Sequence, residues 1–196
     1  MKKGTIIGLS VLALVVICFF WGMGQFNGMV TAEESVTKSW ANVESQYQRR
    51  SDLIPNLVAT VKGYATHEQK TLTDVISARA KATQTTIDPT NMTPESMAKF
   101  QAAQSQVSSS LGRLLVSVEQ YPNLKANQNF LELQAQLEGT ENRISVERQR
   151  FNESAQGYNV MIRRFPKNII AGMFGFDKKV YFEAEESAAK APEVKF

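Results

Sequence analysis

The chain has 196 residues, with 22 Lys and Arg against 19 Asp and Glu, a formal net charge of +3 and a pI near 9.0. Two of those cations, Lys2 and Lys3, precede an apolar run, so the remainder is close to neutral and lacks the clustered basic face that nucleic-acid binding requires. The one cysteine, Cys18, lies inside that run, which excludes an intrachain disulfide and a thiolate metal site; the body after the run is long enough for one buried core.

The apolar run, Thr5 to Gly24, is uncharged. A helix of about 20 residues crosses a hydrocarbon core of about 30 Å, so residues 5–24 are expected to sit in a lipid bilayer. The bulky Phe19-Phe20 pair and Trp21 suit an interfacial anchor better than a cleavage region, and the small residues near Ala32 lie far from the run, so a retained anchor is expected, with a cleaved signal as the alternative. Ile17 is too large for the position before a lipidated cysteine, which sets aside a lipoprotein reading of Cys18. Lys2 and Lys3 favour a cytoplasmic N-terminus with the body outside.

From Val36 the bulky residues recur at steps of four and three: Val36, Trp40, Val43, Tyr47, Arg50, Ile54, Leu57, Val61, Tyr64, Glu68, Leu72, Val75. This heptad seam predicts a long rod from Asn27 to about Ala82, broken in its apolar pattern at Arg50 and Glu68. Pro55 falls inside the rod and is expected to kink it or restart it near residues 51–55, with Ser51 or Asp52 as cap. A polar linker, residues 83–92, precedes Thr93-Pro94-Glu95, which gives a cap, a proline at the first helical position and an acid in the first turn. The next seam, Met97, Phe100, Gln104, Val107, Leu111, Leu114, Val118, Tyr121, ends at Pro122. A last helix is expected from about Lys125 to Phe165, with Glu141 and Arg148 interrupting its apolar row. The tail, Pro166 to Phe196, holds Phe174, Gly175, Phe176, Tyr181, Phe182 and Phe196, too many rings for a disordered segment. The expected fold is all-α: an N-terminal transmembrane helix (1–26), an elongated antiparallel bundle of three to four long helices (27–166) and an aromatic and glycine-rich tail (167–196) that packs on the bundle or on a neighbour.

The stretch Arg49-Arg50-Ser51-Asp52-Leu53-Ile54-Pro55-Asn56-Leu57-Val58, continuing through Thr60-Val61-Lys62-Gly63-Tyr64-Ala65 to His67-Glu68, resembles the signature of the LemA family. So does the end of the chain: Tyr158-Asn159, Phe165-Pro166, Asn168, Ala171, Phe174-Gly175-Phe176, Tyr181-Phe182-Glu183, Pro192, Val194 and Phe196. The resemblance runs from the anchor to the last residue. It implies a bacterial single-pass membrane protein with a helical-bundle body and no established enzymatic activity. One relative acts in magnetosome membrane formation, and others are encoded beside membrane proteases.

No constellation in the sequence carries catalysis. His67-Glu68 opens like a zinc-protease helix, but the second histidine of that pattern is replaced by Thr71, and one histidine cannot supply three zinc ligands. No Gly-x-Ser-x-Gly elbow or phosphate-binding glycine loop is present. The sequence therefore points to no cofactor, no metal and no enzyme. The cluster Arg49, Arg50, Asp52, Pro55 is structural in character: a charge in a seam must be paired, and Arg50 is expected to meet Glu141 across the bundle and fix its register, unless Pro55 rotates Arg50 to water. His67 and Glu68 form a polar pair at the seam. Phe174, Gly175, Phe176, Phe182 and Phe196 are the interaction candidates, packing on the chain's own bundle, on a partner, or against lipid headgroups beside Lys178 and Lys179. Two functions fit: a self-associating, homo-oligomeric scaffold at the membrane, or an adaptor that holds a membrane protease or another envelope protein.

Overall fold

In the computed structural model, residues 3–65 and 68–183 are described. All the regular structure among them is α-helical: α1 (Lys3–Lys62), α2 (Gln69–Gln84), α3 (Pro94–Val118), α4 (Pro122–Lys125), α5 (Gln128–Arg163) and α6 (Lys167–Phe174). The expected all-α fold with a long apolar N-terminal helix is therefore what the chain adopts.

The first helix differs from expectation in two ways. It runs for 60 residues from the apolar segment into the body with no break near residue 26. It also continues through Pro55, and it ends later, at Lys62. Proline removes the N–H that would bond the carbonyl four residues back, here that of Ser51. Arg79 of α2 makes good the loss: its Nε donates to Ser51 O at 2.8 Å. The hydroxyls of Ser51 and Thr83 also meet at 3.3 Å. The orphaned carbonyl thus has a partner and Pro55 needs no cap of its own. The helix ends instead where Gly63, Tyr64 and Ala65 turn back with N–H groups on Ala59 O and Val61 O.

The other boundaries follow local chemistry. Thr93 Oγ1 accepts from the Ser96 N–H at 3.1 Å while Ser96 Oγ accepts from the Thr93 N–H at 3.0 Å, a reciprocal cap ahead of Pro94. Asn127 Oδ1 accepts from the Phe130 N–H at 3.0 Å at the head of α5. The last helix, expected from about Lys125 to Phe165, is α5 alone, from Gln128 to Arg163, and the single turn of α4 precedes it. Gly175, at φ 74°, ends α6 in the left-handed region, where glycine has no steric cost, and its N–H and that of Phe176 both return to Ala171 O.

The chain divides into two compact units. One comprises residues 39–152 with 180–196. Its described part is a helical bundle whose seam is the expected one: Trp40, Val43, Tyr47, Ile54, Leu57 and Val61 of α1 are buried with Leu72 and Val75 of α2, Val107, Leu111 and Leu114 of α3, and Phe130, Leu137 and Ile144 of α5. Tyr64 leaves the seam and is exposed, because α1 has ended two residues before it. In α5 the buried row passes through Thr140 beside Glu141. The other unit comprises residues 1–38 with 153–179. Met29 and Val36 of α1, Ala155, Tyr158 and Ile162 of α5 and Ala171 of α6 form its buried core, whereas the apolar residues from Ile6 to Trp21 are exposed. This is the one helix among the described residues long and apolar enough to cross a membrane.

Removal of the Arg79 guanidinium leaves the Ser51 carbonyl without its donor, so Arg79→Ala is expected to cost about 1 kcal/mol in thermal unfolding of the detergent-solubilised protein. The cost shrinks in a Pro55→Ala background, where residue 55 regains an N–H for that carbonyl. Additive effects of the two substitutions in a double-mutant cycle contradict this account.

Candidate functional site

Charged and amide side chains are the usual exceptions to an apolar interior, and a buried cation must be compensated. Arg50 is 2% exposed and sits in the α1 seam. Its Nη1 donates to Ser108 Oγ at 2.7 Å and to Glu141 Oε1, and its Nη2 donates to Gln104 Oε1 at 2.7 Å and to the Gln104 carbonyl at 3.2 Å. Ser108 Oγ donates in turn to Glu141 Oε1 at 2.8 Å. The guanidinium also lies over the Tyr47 ring, 5.2 Å from its centroid. One side chain thus bonds α3 and α5 to α1. The arrangement suits guanidinium chemistry: five fixed donors meet a carboxylate, an amide, a hydroxyl and a backbone carbonyl.

A groove opens beside this cluster, with about 760 Å³ of space between α1, α3 and α5. Arg50, Ser105, Ser108, Glu141, Ile144 and Arg148 are among its walls. Glu141 is partly exposed there, so the ion pair with Arg50 is half interior, half groove wall.

The remaining sequence candidates lie apart from this centre. Arg49 and Asp52 are exposed; Asp52 accepts from Gln48 Nε2 at 2.8 Å, a contact along α1 itself. Glu68 precedes α2, where its carboxylate accepts from the Tyr121 hydroxyl at 3.2 Å and the Thr71 hydroxyl at 3.4 Å. Burial first, and then the bond to Glu68, raise the Tyr121 phenol above its ordinary pKa. His67 and Phe196 fall outside the described residues.

The tail is pinned by two asparagines that the sequence did not single out as ligands of the backbone. In the bundle unit, Asn152 Oδ1 accepts from the Phe182 N–H at 2.8 Å and its Nδ2 donates to the Phe182 carbonyl at 3.1 Å. In the other unit, Asn159 grips Lys179 the same way, at 2.9 Å to the N–H and 2.8 Å to the carbonyl. Each amide offers the extended tail one donor and one acceptor, as a neighbouring strand would. The Phe182 ring then stacks on Trp40 at 5.8 Å, meets Phe151 edge-on at 5.5 Å and carries the Arg148 guanidinium at 4.8 Å. Phe182 therefore packs on the chain's own bundle. Phe174 and Phe176 flank Phe26 edge-on, at 5.0 and 5.5 Å, and Gly175 between them makes the turn that allows it.

Lys179 corrects the sequence reading that set it beside lipid headgroups. It is 8% exposed, with Nζ 2.7 Å from Glu33 and 5.7 Å from the centroid of the Tyr158 ring. Burial, and next the negative charges of Glu33 and Asp177, hold the Tyr158 phenol well above the ordinary tyrosine range. Glu33, Gln104, Ser108 and Lys179 gain their importance only from these pairings. The one signal for the asparagines was their spacing of seven on the flank of an apolar row.

The buried charges set two expectations. Glu141→Ala strands a buried cation, whereas Arg50→Met strands a carboxylate that water can reach. Glu141→Ala is therefore expected to lower stability by roughly 3 kcal/mol and Arg50→Met by less, measured as thermal midpoints. The second concerns alkaline pH. A phenol whose folded pKa is raised contributes its stability in full below the unfolded value of about 10 and loses it as pH climbs toward the folded value. Tyr158→Phe should leave the midpoint at neutral pH little changed and flatten its fall above about pH 10. An unaltered alkaline slope contradicts the assignment.

The family model described as LemA family matches residues 39–196. Among curated proteins, the magnetosome protein MamQ of Magnetospirillum gryphiswaldense is 28% identical over 203 residues, an alignment that spans 95% of this chain and 74% of that protein. The magnetosome protein MamQ 2 of Paramagnetospirillum magneticum is 25% identical, spanning 97% of this chain and 76% of its own. The protein LemA of Metamycoplasma hominis is 24% identical, spanning 87% and 74%. With its bundle, its arginine-centred seam and its C-terminal strap inside the matched region, the chain belongs to the LemA family.

Proposed function

We propose that this protein is a non-enzymatic, membrane-anchored helical adaptor, held in the bacterial inner membrane by residues 5–24 with its N-terminus in the cytoplasm and its body outside. The groove beside Arg50 carries the reading. Its floor is a satisfied hydrogen-bond network that holds three helices in register, and its walls combine the apolar Ile144 with the charged Glu141 and Arg148. Concave sites of mixed character on rigid elements suit binding. The buried polar side chains Arg50, Asn159 and Lys179 are each engaged with structural partners, which supports a binding role over a catalytic one. The names of the relatives are not enzyme names.

The scaffold reading rests on a different observation. Relatives named as magnetosome proteins share most of their length with this chain, and that supports a role in organising a membrane structure. Against it, the exposed apolar residues of the bundle unit, such as Ile76, Val116, Leu131 and Val146, are spread over three helices. Single exposed residues of this kind are ordinary surface.

A photo-crosslinking amino acid at Ala102, on the rim of the groove, tests the two readings in living cells, with Val116 on the same helix as comparison. The adaptor reading expects an adduct to a different protein from position 102, none from 116, and its loss on Arg148→Glu. An adduct of two copies of this chain would favour the scaffold. Equal adducts from both positions would remove the groove from consideration.

A further inference from the structure

One apolar surface outside the transmembrane run is left uncovered by the fold. Ile169 and Met173, four residues apart on α6, are 55% and 74% exposed, and Phe165, in the segment between α5 and α6, is 81% exposed. The opposite side of α6 turns Ala171 into the core of its unit. Such a helix is amphipathic, with its apolar stripe outward. Phe174, itself exposed, continues the stripe, yet its ring is fixed against Phe26, two residues beyond the end of the apolar run of α1. The exposed stripe therefore belongs to the same compact unit as the membrane span and is joined to the point where that span leaves the hydrocarbon. Arg163, Arg164 and Lys178, all exposed, flank this segment in sequence, and Asp177 is the one acid among residues 163–178.

We infer that α6 is a second membrane element, an interfacial helix that lays Phe165, Ile169 and Met173 into the bilayer surface beside the exit of α1, with Arg163, Arg164 and Lys178 on anionic headgroups. The inference rests on the reading of residues 5–24 as a membrane span. Helices of this character bury an apolar face about 5–10 Å into the boundary between headgroups and acyl chains, and nearby cations strengthen the binding. Anchoring by a span and a surface helix together would hold the unit of residues 1–38 and 153–179 at a fixed tilt and depth, which a single flexible tether cannot do.

The test uses the full chain with Cys18→Ala, reconstituted in phosphatidylcholine vesicles containing phosphatidylglycerol. Single cysteines carrying an environment-sensitive fluorophore are placed by Ile169→Cys, Met173→Cys, Val16→Cys and Val116→Cys. Quenching is compared between lipids spin-labelled at shallow and deep positions and aqueous iodide. The proposal expects probes at 169 and 173 to be blue-shifted, shielded from iodide and quenched more by the shallow label than the deep one. The probe at 116 should be open to iodide, and the probe at 16 should respond most to the deep label. Omitting phosphatidylglycerol should weaken lipid quenching at 169 and 173 and leave position 16 unchanged; equal quenching without it overturns the role given to the cations. Iodide access at 169 and 173 with deep quenching at 16 overturns the proposal and leaves the span standing. Shielding from both quenchers overturns it in favour of a protein surface over α6. Absence of deep quenching at 16 overturns the span, and the proposal with it.

Discussion

Everything in the bundle unit is arranged around the requirement that the Arg50 guanidinium be fully compensated. A buried cation without partners costs several kcal/mol, and Arg50 escapes that cost only when Gln104, Ser108 and Glu141 all reach it. Those groups lie on two other helices, so the condition is met in one alignment of α1, α3 and α5 and lost if any of them slides by a turn. Apolar seams alone tolerate such slides, because leucines and valines pack in several registers. The arginine converts a permissive seam into a specific one. It also shapes the surface, since Glu141 has one face on the cation and the other on the groove.

A second theme is that side chains, rather than regular hydrogen-bond ladders, satisfy backbone groups at the irregular points. The carbonyl stranded by Pro55 is taken by Arg79, and the extended tail is held by Asn152 and Asn159. Buried backbone groups must be paired, and amide or guanidinium side chains are the means where no helix or strand is available. The result is that residues 176–183, outside any helix, nevertheless have defined positions, with the Phe182 ring in the aromatic core and the Lys179 ammonium against Glu33.

The unit that holds the apolar run carries its own logic. A helix satisfies its own backbone hydrogen bonds, so α1 needs no partner within that run even where no water reaches it. Where the run ends, Phe26 receives Phe174 and Phe176, and the chain reverses through α6 before the strap departs through Lys179. Apolar exposure concentrated at this reversal, with cations at its edge, makes sense if the solvent there is a bilayer surface rather than water.

How much of this was legible in the chain itself depends on the range of the physics. The transmembrane run, the heptad seams, the Thr93 cap with Pro94, and the need of Arg50 for a partner such as Glu141 all follow from helical periodicity, bilayer thickness and the cost of a buried charge, which act over a few residues or through a single rule. The fate of Pro55 did not, because the donor that rescues the Ser51 carbonyl comes from Arg79, in a different helix. For the same reason the break moved beyond Lys62. Asn152 carried no signal of its own, Asn159 stood only in the family signature and Lys179 read as a neighbour of headgroups, until the tail was laid against them. The sequence by itself determined the long helices and their apolar faces, though not the short α6 inside the tail; the tertiary structure alone decided which polar groups meet, because hydrogen-bond satisfaction is a condition on the whole packed molecule and not on any stretch of it.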